Sequence, residues 1–271
     1  MMRALWSAAS GMIAQQTNVD TISNNLSNVN TTGYRTEKTE FKSLLYQTLQ
    51  TRTTTANGEQ KPIPAQVGLG TRVASNTSDF TQGALLASDS ETAFAIEGEG
   101  FFGVQGLNGE TYYTRNGDFH WMTGTNGMQL STSDGYAVLD TTGKPIVLDQ
   151  NIDSASVKLN ANGEVYLRNQ DGTQTMLGQT IGLYQFNNPA GLNKISGTFY
   201  TETEASGIAL NEATNNGLIK SKLAQNYLEG SNVQVADEMV NLIVVQRAYE
   251  LNSKAIQTAD DMLGQANQLK R

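Results

Sequence analysis

Apolar positions recur over the first 30 residues at alternating steps of three and four. They are Leu5, Ala8, Met12, Val19, Ile22, Leu26 and Val29, with Gln15 the one polar member of the series. That is a heptad seam. It predicts a helix over residues 3–28, about 40 Å long at 1.5 Å per residue. The pattern stops at Asn30-Thr31-Thr32-Gly33, where Asn and Gly favour a helix end or turn.

The other end carries the same period twice. One stripe runs Val233, Ala236, Val240, Ile243 or Val244, Ala248, Leu251, Ala255, Ala259, Met262, Ala266 and Leu269. A second runs Val235, Met239, Leu242, Val245, Tyr249, Ile256 and Leu263. A helix over residues 233–269 is predicted, about 55 Å long, with Ser231 or Asn232 as its N-cap. One stripe suffices to pair with the N-terminal helix. The second calls for burial on another side, which we read as a subunit interface.

Between the ends the period changes. Asn-Gly or Asp-Gly pairs stand at 108–109, 116–117, 126–127, 134–135, 162–163 and 171–172, with Thr142-Gly143 in the long gap. Such pairs are strong hairpin signals, read here as type I′ turns, which need positive φ at both central residues. Strand-like runs lie among them: Ala93–Ile96, Phe101–Gln105, Thr111–Thr114, Tyr136–Leu139, Val157–Leu159, Glu164–Leu167 and Ile181–Phe186.

The expected fold class is therefore α+β. The N- and C-terminal helices pair as a coiled-coil stalk, and the centre is an antiparallel all-β domain. The expected divisions are 1–30 with 226–271 for the helices, 31–74 with 206–225 for connectors or a hinge, and 75–205 for the β domain. Residues 34–50 fit helix or strand equally. A polar stretch at 47–66, with Pro62 and Pro64, reads as extended.

Composition narrows the function. Of 271 residues, 16% are charged, against about 25% in ordinary soluble domains. Asn, Gln, Ser and Thr fill the deficit with 93 residues. There is one His and no Cys. That excludes disulfides, iron–sulfur clusters, thiolate zinc sites, multi-His metal sites and a Cys nucleophile. A net charge of −8 argues against nucleic acid as a partner. The charge is uneven: +1 over 1–50, −7 over 51–225 and −2 over 226–271. Near-neutral ends can approach copies of themselves without strong repulsion. Met1-Met2-Arg3 and the short apolar run after it are too broken by Ser7, Ser10 and Gly11 for a secretory signal, so a retained N-terminus is expected.

Sites for chemistry are few. Gly98, Gly100 and Gly103 match G-x-G-x-x-G, but Phe101-Phe102-Gly103-Val104 does not open a helix as a dinucleotide loop must. Glu97 and Glu99, two apart on a strand, share a face. They supply the alternative reading of a periplasmic β-domain enzyme acting on carbohydrate. His120 beside Trp121 reads as a half-buried strand or turn residue, and Arg115 as one half of an ion pair on a hairpin shoulder. Asp260 and Asp261 diverge by about 100° on a helix and are not a pair. An adhesin or autotransporter stalk is a further alternative, and it requires a cleaved signal.

Three stretches carry a family resemblance. Residues 23–34 (Ser-Asn-Asn-Leu-Ser-Asn-Val-Asn-Thr-Thr-Gly-Tyr), with Asn24, Asn25, Asn28 and Gly33, resemble the N-terminal signature of bacterial flagellar rod and hook proteins. Residues 96–102, with Gly98, Gly100, Phe101 and Phe102, and residues 113–119, with Arg115 and Gly117, resemble that family's β-domain motif. Residues 226–233, with Gly230, Ser231 and Asn232, then 246–254, with Gln246, Arg247 and Tyr249, are similar to its C-terminal helix. The order fits over essentially the whole chain. The opening Met-Met-Arg-Ala-Leu-Trp and the ending Asp260-Asp261-Met262-Leu263 resemble the branch that builds the distal rod, with a proximal-rod or hook-type paralogue as the alternative.

The resemblance implies a structural role and no enzyme activity, cofactor or metal. It implies a helical homopolymer that forms a tubular drive shaft across the periplasm and carries torque from motor to hook. Its implied partners are the chain itself, proximal rod proteins, the hook protein, the P- and L-ring proteins and the flagellar type III export apparatus. The expected subunit interface is Leu5, Met12, Val19, Ile22, Leu26, Val29, Val233, Met239, Val240, Leu242, Ile243, Tyr249, Leu251, Ile256, Met262 and Leu263. The terminal segments are expected to fold on incorporation, and the 47–66 stretch to stiffen the shaft.

Overall fold

The computed structural model describes residues 2–50, 65–106, 108–124, 127–148, 157–160, 162–168, 174–215 and 217–269. The chain divides into two compact units. One comprises Met1–Ser27, Glu37–Thr77 and Gln234–Arg271, and the other Asn28–Thr36 and Ser78–Val233.

The first unit contains both long helices, α1 (Met2–Ser27) and α2 (Val235–Gln268). They run antiparallel. Gly11 of α1 lies against Asn252 of α2, and Asn25 lies against Glu238, the same number of residues further along α1 and back along α2. A Cβ on Gly11 would meet Asn252 Nδ2 at 2.9 Å, so the absent side chain allows the close approach. Leu242, Val245, Ala248, Ile256, Ala259 and Leu263 are the shielded apolar positions of α2, mostly from the second stripe. Ala8 and Ile22 of the predicted α1 seam are buried, and so is Ala14, which lies outside it.

A hydroxyl-bearing face of α1 meets strands. Thr21 Oγ1 bonds Thr39 Oγ1 at 2.9 Å, and Ser10 Oγ accepts from Thr71 N at 3.3 Å. Residues 34–50 are thus resolved as strand rather than helix. Glu37–Ser43 pairs with Thr71–Ser78, and Tyr46–Gln50 pairs antiparallel with Ala65–Gly68. The 47–66 stretch is therefore a strand at each end. Its centre, 51–64, lies outside the described residues.

The C-terminal helix starts later than expected. Gln234 is the N-cap and makes no side-chain capping bond. Asn232 is not free to cap, because its side chain binds Thr36, Asp79 and Thr81.

The second unit is β-rich, and its strand pairs are all antiparallel. Its central strand, Phe101–Gln105, pairs along one edge with Thr111–Thr114, which pairs with Phe199–Thr201 and then Asn193–Ser196. Its other edge is shared by Ala137–Val138 and Leu183–Gln185. Phe119–Gly124, Gly127–Thr132 and Val147–Leu148 extend the sheet beyond Ala137–Val138. A three-stranded sheet, Val157–Leu159, Glu164–Arg168 and Gln174–Thr180, adds Val157, Leu159 and Val165 to the core.

Phe101 and Phe102 point to opposite faces, as neighbours on a strand must, and each enters its own cluster. Phe102 packs edge-on to Phe119 at 5.0 Å, among Ile96, Val104, Leu130 and Ile146. Phe101 packs against Phe80, Phe186 and Tyr200 in an aromatic cluster.

The Asx-Gly pairs at 108–109, 134–135 and 162–163 stand in hairpins, but not of the expected turn type, while Asn126 and the pair 171–172 lie outside the described residues. Gly109, Gly135, Gly143 and Gly163 have φ between +75° and +85°, while Asn226 is the only non-glycine with positive φ among the described residues. Each of these glycines donates to the carbonyl three residues back. At Gly135 and Gly143, where every turn residue is described, this is a type I turn followed by a left-handed glycine, the three-residue hairpin loop, and not type I′. Asn116-Gly117 is no hairpin turn at all. Gly117 lies against the Phe94 carbonyl, where a Cβ would clash.

Candidate functional site

The described residues hold no group of three potential metal ligands. The alternative catalytic pair is taken apart by Gly98. That residue, at φ +134°, ends the strand at Glu97, so Glu97 and Glu99 do not share a strand face, and both side chains are exposed. His120 is half-exposed and lies 3.5 Å from Asp118. The G-x-G-x-x-G run leads into the strand Phe101–Gln105 and not into a helix.

The motif residues of the three resembling stretches meet inside the β-rich unit. The Glu229 carboxylate is fully buried. Its Oε1 accepts from Arg35 Nη2 at 2.7 Å and from Gly83 N at 2.9 Å. Its Oε2 lies 3.4 Å from Arg115 Nη1. Arg115 Nη2 donates to the Gly98 carbonyl at 2.6 Å, and its guanidinium stands 5.1 Å from the centre of the Phe101 ring. Arg115 is thus in an ion pair, as the sequence suggests. But it is buried rather than on a hairpin shoulder, and its partner lies 114 residues away. Burial pushes its pKa down to about 10, opposed by Glu229 and assisted by Arg35.

Backbone contacts complete the cluster. Gly33 N donates to the Glu229 carbonyl at 2.7 Å. Gly33 has φ +69°, and a Cβ there would stand 2.5 Å from Asn116 N. Asn116 Oδ1 accepts from Thr32 Oγ1 at 3.0 Å. Asn232 Oδ1 accepts from Thr36 N at 2.7 Å and Thr36 Oγ1 at 2.8 Å. Ser231 Oγ accepts from Val233 N, and Gly230 N donates to Ala84 O. Gly100 has no room for a side chain beside Glu212 and Ser221. Arg35 and Glu229 were not singled out in the sequence. The signal available was a lone charge directly after one uncharged, Gly-containing motif (Arg35) and inside another (Glu229).

Other motif residues serve the helical unit. Asn25 is buried and reads both polarities of the strand start, donating to Glu37 O at 2.8 Å and accepting from Glu37 N at 2.9 Å. It also donates to Glu238 Oε1 at 3.4 Å. Asn24 is exposed, and Asn28 Oδ1 accepts from Thr31 Oγ1. Gln246 and Arg247 are exposed on α2, Arg247 pairing with Glu250 at 2.9 Å.

The predicted interface residues divide by exposure. Ile22 and Val233 are buried within the chain. Leu5, Met12, Val19, Leu26, Val29, Leu242, Ile256 and Leu263 are half-buried. Met239, Val240, Ile243, Tyr249, Leu251 and Met262 are exposed, with Val240 at 60% and Leu251 at 67%. Val244 joins them, and Trp6 and Ile13 of α1, which the heptad reading passed over, are exposed at 73% and 68%. No helix among the described residues is long and apolar enough to cross a membrane. A notch of about 380 Å³ is lined by Gln16, Val19, Gln246, Tyr249 and Glu250.

Comparison with known proteins accounts for the three stretches. Residues 5–35 match the family described as flagella basal body rod protein. Residues 95–167 match the flagellar hook protein FlgE/F/G D1 domain, and residues 224–269 the flagellar basal body rod FlgEFG protein C-terminal. The chain is 45% identical over 273 residues to the flagellar basal-body rod protein FlgG of Borreliella burgdorferi, covering 100% of both. It is 40% identical to that of Caulobacter vibrioides, covering 99% of this chain and 100% of the relative. In Bacillus subtilis it is 35% identical to FlgG and 30% identical to the flagellar hook-basal body complex protein FlhP, each over the full length of both chains. These relatives are named as components of a structural assembly, and the chain belongs to the FlgG family of flagellar basal-body rod proteins.

Proposed function

We propose that the chain is a structural subunit of the distal flagellar rod that self-assembles into a tubular shaft through the periplasm. The shaft transmits torque from the motor to the hook. The observation that carries this reading is the apolar stripe of α2, with Val240, Ile243, Val244 and Leu251 uncovered on a helix whose other face is already used by α1. Each such side chain gains about 1.5–3 kcal/mol on full burial. A helix apolar on two sides is ordinarily buried on both.

In the polymer, neighbouring copies cover this stripe, making a coiled-coil-like layer of paired terminal segments (1–30 and 226–271). Residues 31–74 and 206–225 act as connectors, and 75–205 form the outer β layer. The neighbours along the axis are proximal rod proteins and the hook protein, with the P- and L-ring proteins around it. Delivery is by the flagellar type III export apparatus.

Electron microscopy of the purified chain at high concentration is the test. Tubular polymers are expected. A chain that stays monomeric at every concentration, and does not add to isolated rods, would overturn the reading.

A further inference from the structure

The groove of about 680 Å³ beside Glu212 is rimmed by surface lysines, and the Glu212 carboxylate is already bound by Gln185 and Ser221. The observations reach further at Glu229. Two arginines surround this one carboxylate, and the Nε of each is buried without a hydrogen-bond partner. Arginine does not give up its proton at neutral pH, so Glu229 is the countercharge in contact with both guanidinium groups, and Glu212 adds a weaker attraction on Arg115. Removing one member of such a group leaves a buried, unpaired charge.

The place of the cluster in the chain gives it a second meaning. Arg35 and Glu229 are 194 residues apart. Gly33–Thr36 follow α1 closely, and Glu229–Val233 lead directly into α2. The Gly33–Glu229 backbone bond and the Asn232–Thr36 bonds tie these same two segments, and all of these residues belong to the β-rich unit. Pairing two helices at the ends of a long chain costs loop-closure entropy that grows with the loop. Here the contacts of the β-rich unit itself join the two ends of that loop.

We propose that Glu229 is a positioning residue for assembly. With Arg35, Arg115 and Asn232 it clamps the roots of both terminal helices at one register, so that they pair and present the outer stripe from a pre-closed loop. The proposal rests on the reading of the chain as a self-assembling subunit.

The full-length chain tests it with two readouts. In dilute wild-type protein, hydrogen exchange at the Gly33, Thr36, Gly83 and Gly230 amides should run at least about tenfold slower than in α2. Glu229→Gln and Asn232→Ala should lose that protection and grow about tenfold slower from wild-type seeds, while Trp121 emission still reports a folded β core. Should Glu229→Gln unfold the core, Glu229→Gln/Arg115→Met removes one cation with the carboxylate. It should restore the Trp121 signal but not the growth rate.

Root amides that exchange together with α2 in the wild type would overturn the proposal. So would a variant that has a folded core and lost root protection yet grows at the wild-type rate. Failure of the wild type to polymerise at all would sink the assembly reading instead, and the exchange pattern would still decide the clamp.

Discussion

Single atoms set the constraints at the motif positions. Gly33 combines a left-handed backbone with the contact at Asn116 N, so Gly33→Ala should destabilise the β-rich unit by about 1–3 kcal/mol. Urea unfolding followed by Trp121 emission in a Trp6→Phe background measures it, and an unchanged midpoint would contradict it. Glu238 makes a pH-dependent prediction. Burial raises the pKa of its carboxyl above the ordinary range. The Asn25 hydrogen bond opposes this, Asp237 assists it and Lys38 opposes it. A raised folded pKa means that the folded state holds the proton more tightly than the unfolded chain. The stabilisation is therefore complete below the ordinary glutamate pKa and is lost as pH rises through the folded value. The helical unit should melt lower at about pH 7 than at about pH 4 through this group. Glu238→Gln should flatten that part of the dependence in helix-monitored melts.

The two long helices each present different faces to different neighbours, and substitutions should sort accordingly. Val245 is buried in the helix pair, so Val245→Ala should cost about 2 kcal/mol and lower the helix melting temperature. Val244 stands one residue away and is exposed, as is Leu251. Val244→Asp and Leu251→Asp should leave the monomer's helix content and melting nearly unchanged while abolishing polymer growth. Equal effects on monomer stability from Val245→Ala and Val244→Asp would show that the assignment of faces is wrong. The strands follow the same logic. Phe101 and Phe102 are both buried because their strand has a core on each side, which is why two adjacent aromatics stand where an edge strand would alternate with polar residues.

Across the whole chain, the two units differ in what they bury. The helical unit buries mainly small side chains, Ala8, Ala14 and Ala259, with Ile22 and Val245, whereas the β-rich unit closes around Phe94, Phe101, Phe102 and Phe119. Unfolding should therefore not be two-state. The helix signal should be lost at a lower urea concentration than Trp121 emission, and coincident curves would refute this. The same division explains what could be read from the chain alone. Both helices, most of their boundaries and the strands Phe101–Gln105, Thr111–Thr114 and Val157–Leu159 were legible, because periodicity and turn residues act between near neighbours. So was the surplus apolar stripe, since two stripes on one helix need two partners. The exchange of type I′ for a type I turn with a left-handed glycine was not legible, because the same Asx-Gly pair serves both. Nor was it legible which stripe faces α1, that Asn232 bonds strands instead of capping α2, or that Arg35, Arg115 and Glu229 share one buried site. Those choices depend on residues 194, 196 and 213 positions apart, and only the folded chain brings their charges and hydrogen-bonding groups within reach.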